Sequence, residues 1–165
     1  MQRRNEFLRI ALAQRLRHPR QPGAVRRGDH VILEHHGAHA AVAAQRGALL
    51  VVDAGNGGKH VRSYFKSWQP GSFMCIDDWA SVGGSFPIAL GAKLARPDRP
   101  VLCASGDMGA MCNIGELETA MRENIPVVYV VFNDQGLGNE RAFQNEHYGG
   151  RFFAVDYNNP DFGAL

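Results

Sequence analysis

From residue 47 onward, short apolar runs alternate along the chain with longer segments of mixed polarity. Residues 48–54 (ALLVVDA) end at Gly55, residues 73–76 and 101–104 follow, and residues 127–132 (VVYVVF) are β-branched or aromatic throughout. Such side chains favour strands, and strands without polar alternation are the kind buried on both faces. Residues 86–95 and 114–123, lying between these runs, read as helices. Strands separated by helices predict an α/β domain, a parallel sheet with helices on both faces.

The first 46 residues have a different character. Residues 5–17 read as an amphipathic helix with Phe7, Leu8, Ala11 and Leu12 on one side. The Pro-, Gly- and Arg-rich stretch 18–30 reads as a linker. The expected division is therefore a basic N-terminal helix and linker over 1–46 and the main domain over 47–165. His35 and His39 are spaced to share a helical face, near His30 and His36, but Gly37 weakens a helix there and no third ligand is evident. At the other end, Asn159 and Pro160 look like a helix N-cap and its first residue. The chain stops at Leu165, about one turn later, and a lone turn is unstable; the sequence reads as cut short there.

Composition narrows the class without naming it. A length of 165 residues, 45% of them hydrophobic and 21% charged, suits one globular domain. The net charge of +2 points to neither a nucleic-acid nor a membrane partner. Arg3, Arg4, Arg9, Arg15, Arg17, Arg20, Arg26 and Arg27 crowd the start, and they read as a solvated face rather than an arm for an acidic partner. Cys75, Cys103 and Cys112 lack CxxC spacing, which argues for reduced thiols in a cytoplasm and against a disulfide framework or a structural zinc site. No secretory signal and no membrane-length apolar run is evident.

The chemistry concentrates at two strand ends. Residues 101–105 run into Gly106-Asp107-Met108-Gly109, and residues 127–132 run into Asn133-Asp134-Gln135-Gly136. Asp107 and Asp134 are 27 positions apart, room for one parallel crossover. If the strands are neighbours, both carboxylates reach one sheet edge, where α/β folds bind ligands. Oxygen ligands, a Gly-rich turn and a helix N-terminus suit Mg²⁺ holding a diphosphate. Each cluster alone is an ordinary turn; the pair, each closing an apolar strand, carries the signal.

The stretch ASGDMGAMCNIGELETAMRENIPVVYVVFNDQG resembles the thiamine diphosphate signature, which opens Gly-Asp-Gly and closes Asn-Asn. SVGGSFPIALGAKLARPDRPVLCASGD is similar to the segment leading into it in acetolactate synthases, and RENIPV with the run from Gly138 through Arg151-Phe152 resembles sulfoacetaldehyde acetyltransferase. The resemblance covers roughly residues 48–165. It implies a diphosphate-binding domain in which Asp107 and Asp134, with the carbonyl of Gly136, ligate Mg²⁺. It also implies diphosphate contacts from Gly106, Met108, Gly109, Asn56 and Gly57, a carbonyl at Ala80 for the pyrimidine amino group, and an apolar prop at Val82. That prop keeps the cofactor bent, with the amino group beside the carbon to be deprotonated.

The sequence departs from the pattern at three positions. Met108 replaces the signature's last glycine, with Gly109 next to it as a candidate compensation. Asp134 replaces its last asparagine, and Val82 is smaller than the expected Met or Leu. The Glu that activates the cofactor comes, in this family, from a separate pyrimidine-binding domain that residues 1–46 are too short to supply. The resemblance therefore implies part of a lyase or transferase that decarboxylates or ligates a 2-oxo acid or a related small carbonyl compound. It would be incompetent alone and would act as a homo- or hetero-oligomer or as a fragment of a larger enzyme. A non-catalytic cofactor-binding or scaffold module is the alternative. Segment 138–151 is expected to cover the active site. A nicotinamide site fails because Gly55-Asn56-Gly57-Gly58 is not GxGxxG, and a P-loop fails because His60 follows Gly58-Lys59.

Overall fold

The computed structural model describes residues 8–14, 47–76 and 79–165. Strand β1 (Leu8–Gln14) is followed by β2 (Leu49–Val52), α1 (Asn56–Tyr64), β3 (Phe73–Cys75), α2 (Ser85–Ala95), β4 (Val101–Gly106), α3 (Asp107–Cys112), α4 (Glu116–Arg122), β5 (Val127–Asn133) and α5 (Gly138–His147). The strands form one sheet in the order β1-β5-β4-β2-β3, every pair parallel. The four apolar runs and two helices read from the sequence are present, with ends moved by a residue or two. No transmembrane-length apolar helix occurs among the described residues.

Alternation along the strands divides the core between the two faces. Leu49, Val51, Cys103, Val127, Tyr129 and Val131 pack with Phe86, Ala89 and Leu90 of α2, Ala110 of α3 and Ala120 of α4. On the opposite face Leu50, Val52, Ala104 and Val130 meet Val61 of α1. Phe86 and Tyr129 stack at 4.3 Å between ring centroids, and the Tyr129 hydroxyl shares a 2.9 Å hydrogen bond with Ser105 Oγ. Tyr129→Phe keeps the stack and loses that bond, so urea unfolding should register a loss of about 1 kcal/mol.

The topology selects where a ligand can sit. The chain leaves β2 through α1 toward β3, and leaves β4 through α3 and α4 toward β5, on opposite faces and in opposite directions. A crevice therefore opens beyond the carboxyl ends of β2 and β4, the switch point of an open parallel sheet.

Two expectations are corrected. Residues 8–14 are not helical: they form β1 and pair with β5 from Leu8↔Val127 to Gln14↔Asn133. Leu8, Ile10 and Leu12 also carry a two-residue period, and pairing with the most apolar strand decides in its favour. The division at residue 46 consequently does not separate this strand from the sheet. Asn159 and Pro160 start no helix. A turn at Asp161 follows instead, closed by Ala164 N–H to the Asp161 carbonyl at 3.0 Å and Gly163 N–H to its side chain at 2.9 Å. The linker, His30, His35, His36 and His39 lie outside the described residues.

Candidate functional site

Asp107 opens α3 directly after β4, and Asp134 follows the last residue of the neighbouring β5. The register aligns Gly106 with Phe132, so both aspartates leave the same edge of the sheet. Asp107 is buried and Asp134 is exposed. A Cβ placed on Gly138 would lie 3.3 Å from Asn56 Nδ2 and 3.6 Å from Asp134 Oδ2. The start of α1, the tip of β5 and the start of α5 thus meet at one point.

The Asp107 carboxylate organises its surroundings. Oδ1 accepts Met108 N–H and the Tyr157 hydroxyl, both at 2.8 Å, while Oδ2 accepts Gln135 N–H and Asn159 Nδ2, both at 2.7 Å. Those four donors match the acceptor capacity of a carboxylate. Asn159 Nδ2 also donates to Asn133 Oδ1 at 2.8 Å, and its Oδ1 is buried without a hydrogen-bond partner. The capping oxygen expected of Asn159 therefore meets no backbone N–H, and the side chain is held instead through its Nδ2. Burial, followed by the bond to Asp107 and the charges of Asp107 and Asp134, raises the Tyr157 pKa.

Segment 155–157 lies beside 135–137: Leu137 N–H bonds the Val155 carbonyl at 2.8 Å, Tyr157 N–H the Gln135 carbonyl at 3.3 Å, and Gly136 bridges Asp156. Tyr157 and Asn159 were not legible as site residues, because an isolated Tyr or Asn beyond the motif carries no spacing signal.

The other candidates fall around this edge. Asn56 opens α1 after Gly55, whose φ of 104° suits glycine. Gly57 packs where a Cβ would come 2.8 Å from the Phe132 ring, so closeness to the sheet already accounts for it. Gly109 faces Asp53, and a Cβ there would collide with Asp53 Oδ2. Its small size is required by that contact. Ala80, at φ 46°, and Val82, 48% exposed, lie in the turn before α2, with Val82 N–H bonded to the Ala80 carbonyl at 2.8 Å.

Sequence reading missed Asp53, a carboxylate 1% exposed at the end of β2. Burial raises its pKa, partly offset by the N–H groups of Ala54 and Gly83 and by Ser85. A carboxyl whose folded pKa exceeds its unfolded value gives most stability below the ordinary value, 3.8, and loses it as pH rises through the raised pKa. Denaturation midpoints followed upward from pH 3.8 should therefore show a falling contribution that Asp53→Asn removes.

Two carboxylates are the donor chemistry a hard divalent cation takes, but Asp107 already accepts four hydrogen bonds, so a cation there would have to displace one of its side-chain donors. No group of three or more His, Cys, Asp or Glu residues poised for a metal occurs among the described residues.

Comparison with known proteins accords with this geometry. The chain is 38% identical to a probable acetolactate synthase large subunit of Methanococcus aeolicus, over 73% of the chain and 20% of that protein. It is 32% identical to a sulfoacetaldehyde acetyltransferase of Castellaniella defragrans, over 71% and 20% respectively. Among solved structures, the thiamine diphosphate-dependent 4-hydroxybenzoylformate decarboxylase of Rhodococcus jostii RHA1 superposes with a TM-score of 0.71 at 28% identity, covering 86% of this chain and 27% of that one. The chain thus spans about a fifth of the length of the curated relatives it matches. The family model for the thiamine pyrophosphate enzyme C-terminal TPP-binding domain matches residues 53–165, the stretch that holds α1 to α5 and both aspartates, and the chain belongs to that family.

Proposed function

We propose that this domain binds Mg²⁺ and the diphosphate of thiamine diphosphate at the carboxyl edge of its sheet, as part of an acetolactate synthase-like enzyme acting on a 2-oxo acid or related small carbonyl compound. The carrying observation is the adjacency of β4 and β5, which brings Asp107 and Asp134 to one edge beside the first turn of α1. When bound, thiamine diphosphate supplies a thiazolium electron sink for decarboxylation or carbon–carbon ligation.

In this reading Asp107 and Asp134, with the Gly136 carbonyl, hold the metal. Gly106, Met108, Gly109, Asn56 and Gly57 line the diphosphate, the Ala80 carbonyl takes the aminopyrimidine, and Val82 supports the bend. Of the four donors on Asp107, Tyr157 and Asn159 are the two that a side-chain rotation can withdraw. A Glu-bearing pyrimidine-binding domain, on the same or a partner polypeptide, supplies the activating acid, so turnover requires association. The homologues' much greater length supports that requirement.

Calorimetric titration of the chain with thiamine diphosphate, with and without Mg²⁺, tests this. Binding that appears only with the metal, and no turnover until a pyrimidine-binding domain is added, is the expected result. Failure to bind in either condition overturns the reading and favours a scaffold.

A further inference from the structure

Asp53 touches three segments that the sequence keeps far apart. Its Oδ1 accepts Ala54 N–H at 2.9 Å, in the turn between β2 and α1. Gly83 N–H, in the turn before α2, points between both oxygens, at 3.1 Å from Oδ1 and 2.9 Å from Oδ2. Gly109 of α3 closes the third side, with no room for a side chain between it and Oδ2.

Gly83 is confined from the other direction as well. At φ 90°, a Cβ there would lie 2.6 Å from Asn113 Nδ2, 2.7 Å from Cys112 Cβ and 2.9 Å from the Gly109 carbonyl. The turn's other backbone bonds are local: Val82 N–H to Ala80, Gly84 N–H to Ser81, and Ile88 N–H to Gly84. The bond from Gly83 to Asp53 therefore ties the turn to the sheet, whereas α3 is fastened separately through Asp107 and its four donors.

We infer that Asp53 is a positioning residue whose carboxylate sets the 80–84 turn against α3, and thereby places Ala80 and Val82 toward the ring-bearing part of the cofactor. This rests on the thiamine diphosphate reading above. Gly109 and the turn at Ala54 also meet Asp53, but the metal groups and α3 are anchored mainly at Asp107, so the two halves of the ligand depend on Asp53 unequally. Asp53→Asn keeps the shape but turns one acceptor oxygen into an amide NH₂ donor, which faces a backbone donor.

The test compares wild type with Asp53→Asn, each titrated calorimetrically with thiamine diphosphate and with inorganic pyrophosphate in the presence of Mg²⁺. Amide exchange at Gly83 is followed in parallel without ligand. A hydrogen bond to a charged group is worth enough to predict about tenfold weaker thiamine diphosphate binding and about tenfold faster Gly83 exchange, with pyrophosphate affinity nearly unchanged. Equal losses for both ligands would mark Asp53 as a general stabiliser and overturn the inference. So would unchanged thiamine diphosphate affinity, or an unprotected Gly83 amide in the wild-type chain, a measurement that does not depend on the variant folding. A wild-type chain that binds neither ligand, while its Gly83 amide is protected, instead overturns the cofactor reading.

Discussion

Asp107→Ala is expected to abolish Mg²⁺-dependent binding of thiamine diphosphate, with affinity falling more than about 100-fold, since even outer-shell changes at metal sites cost 10–100-fold. The substitution removes a proposed metal ligand and also the acceptor for Met108 N–H, Gln135 N–H, Tyr157 and Asn159. These donors, only partly shielded from water, each lose a partner, so some stability is lost too. Calorimetry with and without Mg²⁺ separates the two effects, provided circular dichroism shows the variant folded. Affinity that persists in a folded Asp107→Ala chain and still depends on the metal would remove Asp107 from the site.

Gly58→Ala should be the most damaging single-methyl addition at the start of α1. A Cβ there would run into the Asp53 backbone carbonyl and lie 3.0 Å from Val52 Cγ1. Neither neighbour can rotate away: one is main chain and the other lies in the fully buried end of β2. Overpacking of this kind typically costs about 1–3 kcal/mol, and an unyielding carbonyl puts the loss at the upper end. Gly57→Ala meets the Phe132 ring, which can tilt, so it should cost less. Urea midpoints of the two variants check this ordering. Equal, small shifts would mean that α1 is not docked closely, and that Asn56 is not held at the carboxyl edge by packing.

These two positions also show how unevenly the sequence reveals the site. Asp107 was legible because a polar, Gly-rich cluster closing an apolar strand is conspicuous, and a second one, ending in Asp134, stands one crossover away. Gly58 was read only in a failed GxGxxG and a failed P-loop, and its real constraint, the Asp53 carbonyl, appears once α1 is folded onto β2. Asp53 itself looked like the end of an apolar run. Its importance comes from Gly83 and Gly109, 30 and 56 residues further along.

Local pattern by itself determined the class of fold, four of the strands, the helices over residues 85–95 and 116–122, and the two acidic strand tips, because strand burial and crossover length are written in near-neighbour residue types. Tertiary structure alone decided the remainder. It made residues 8–14 a strand, since their two periods are nearly balanced until β5 offers a row of backbone partners. It turned Asn159 from a helix cap into a donor to Asp107, and brought Tyr157 to the same carboxylate. Hydrogen bonds between distant residues leave no periodic trace in the chain, and only the packed sheet brings their partners together.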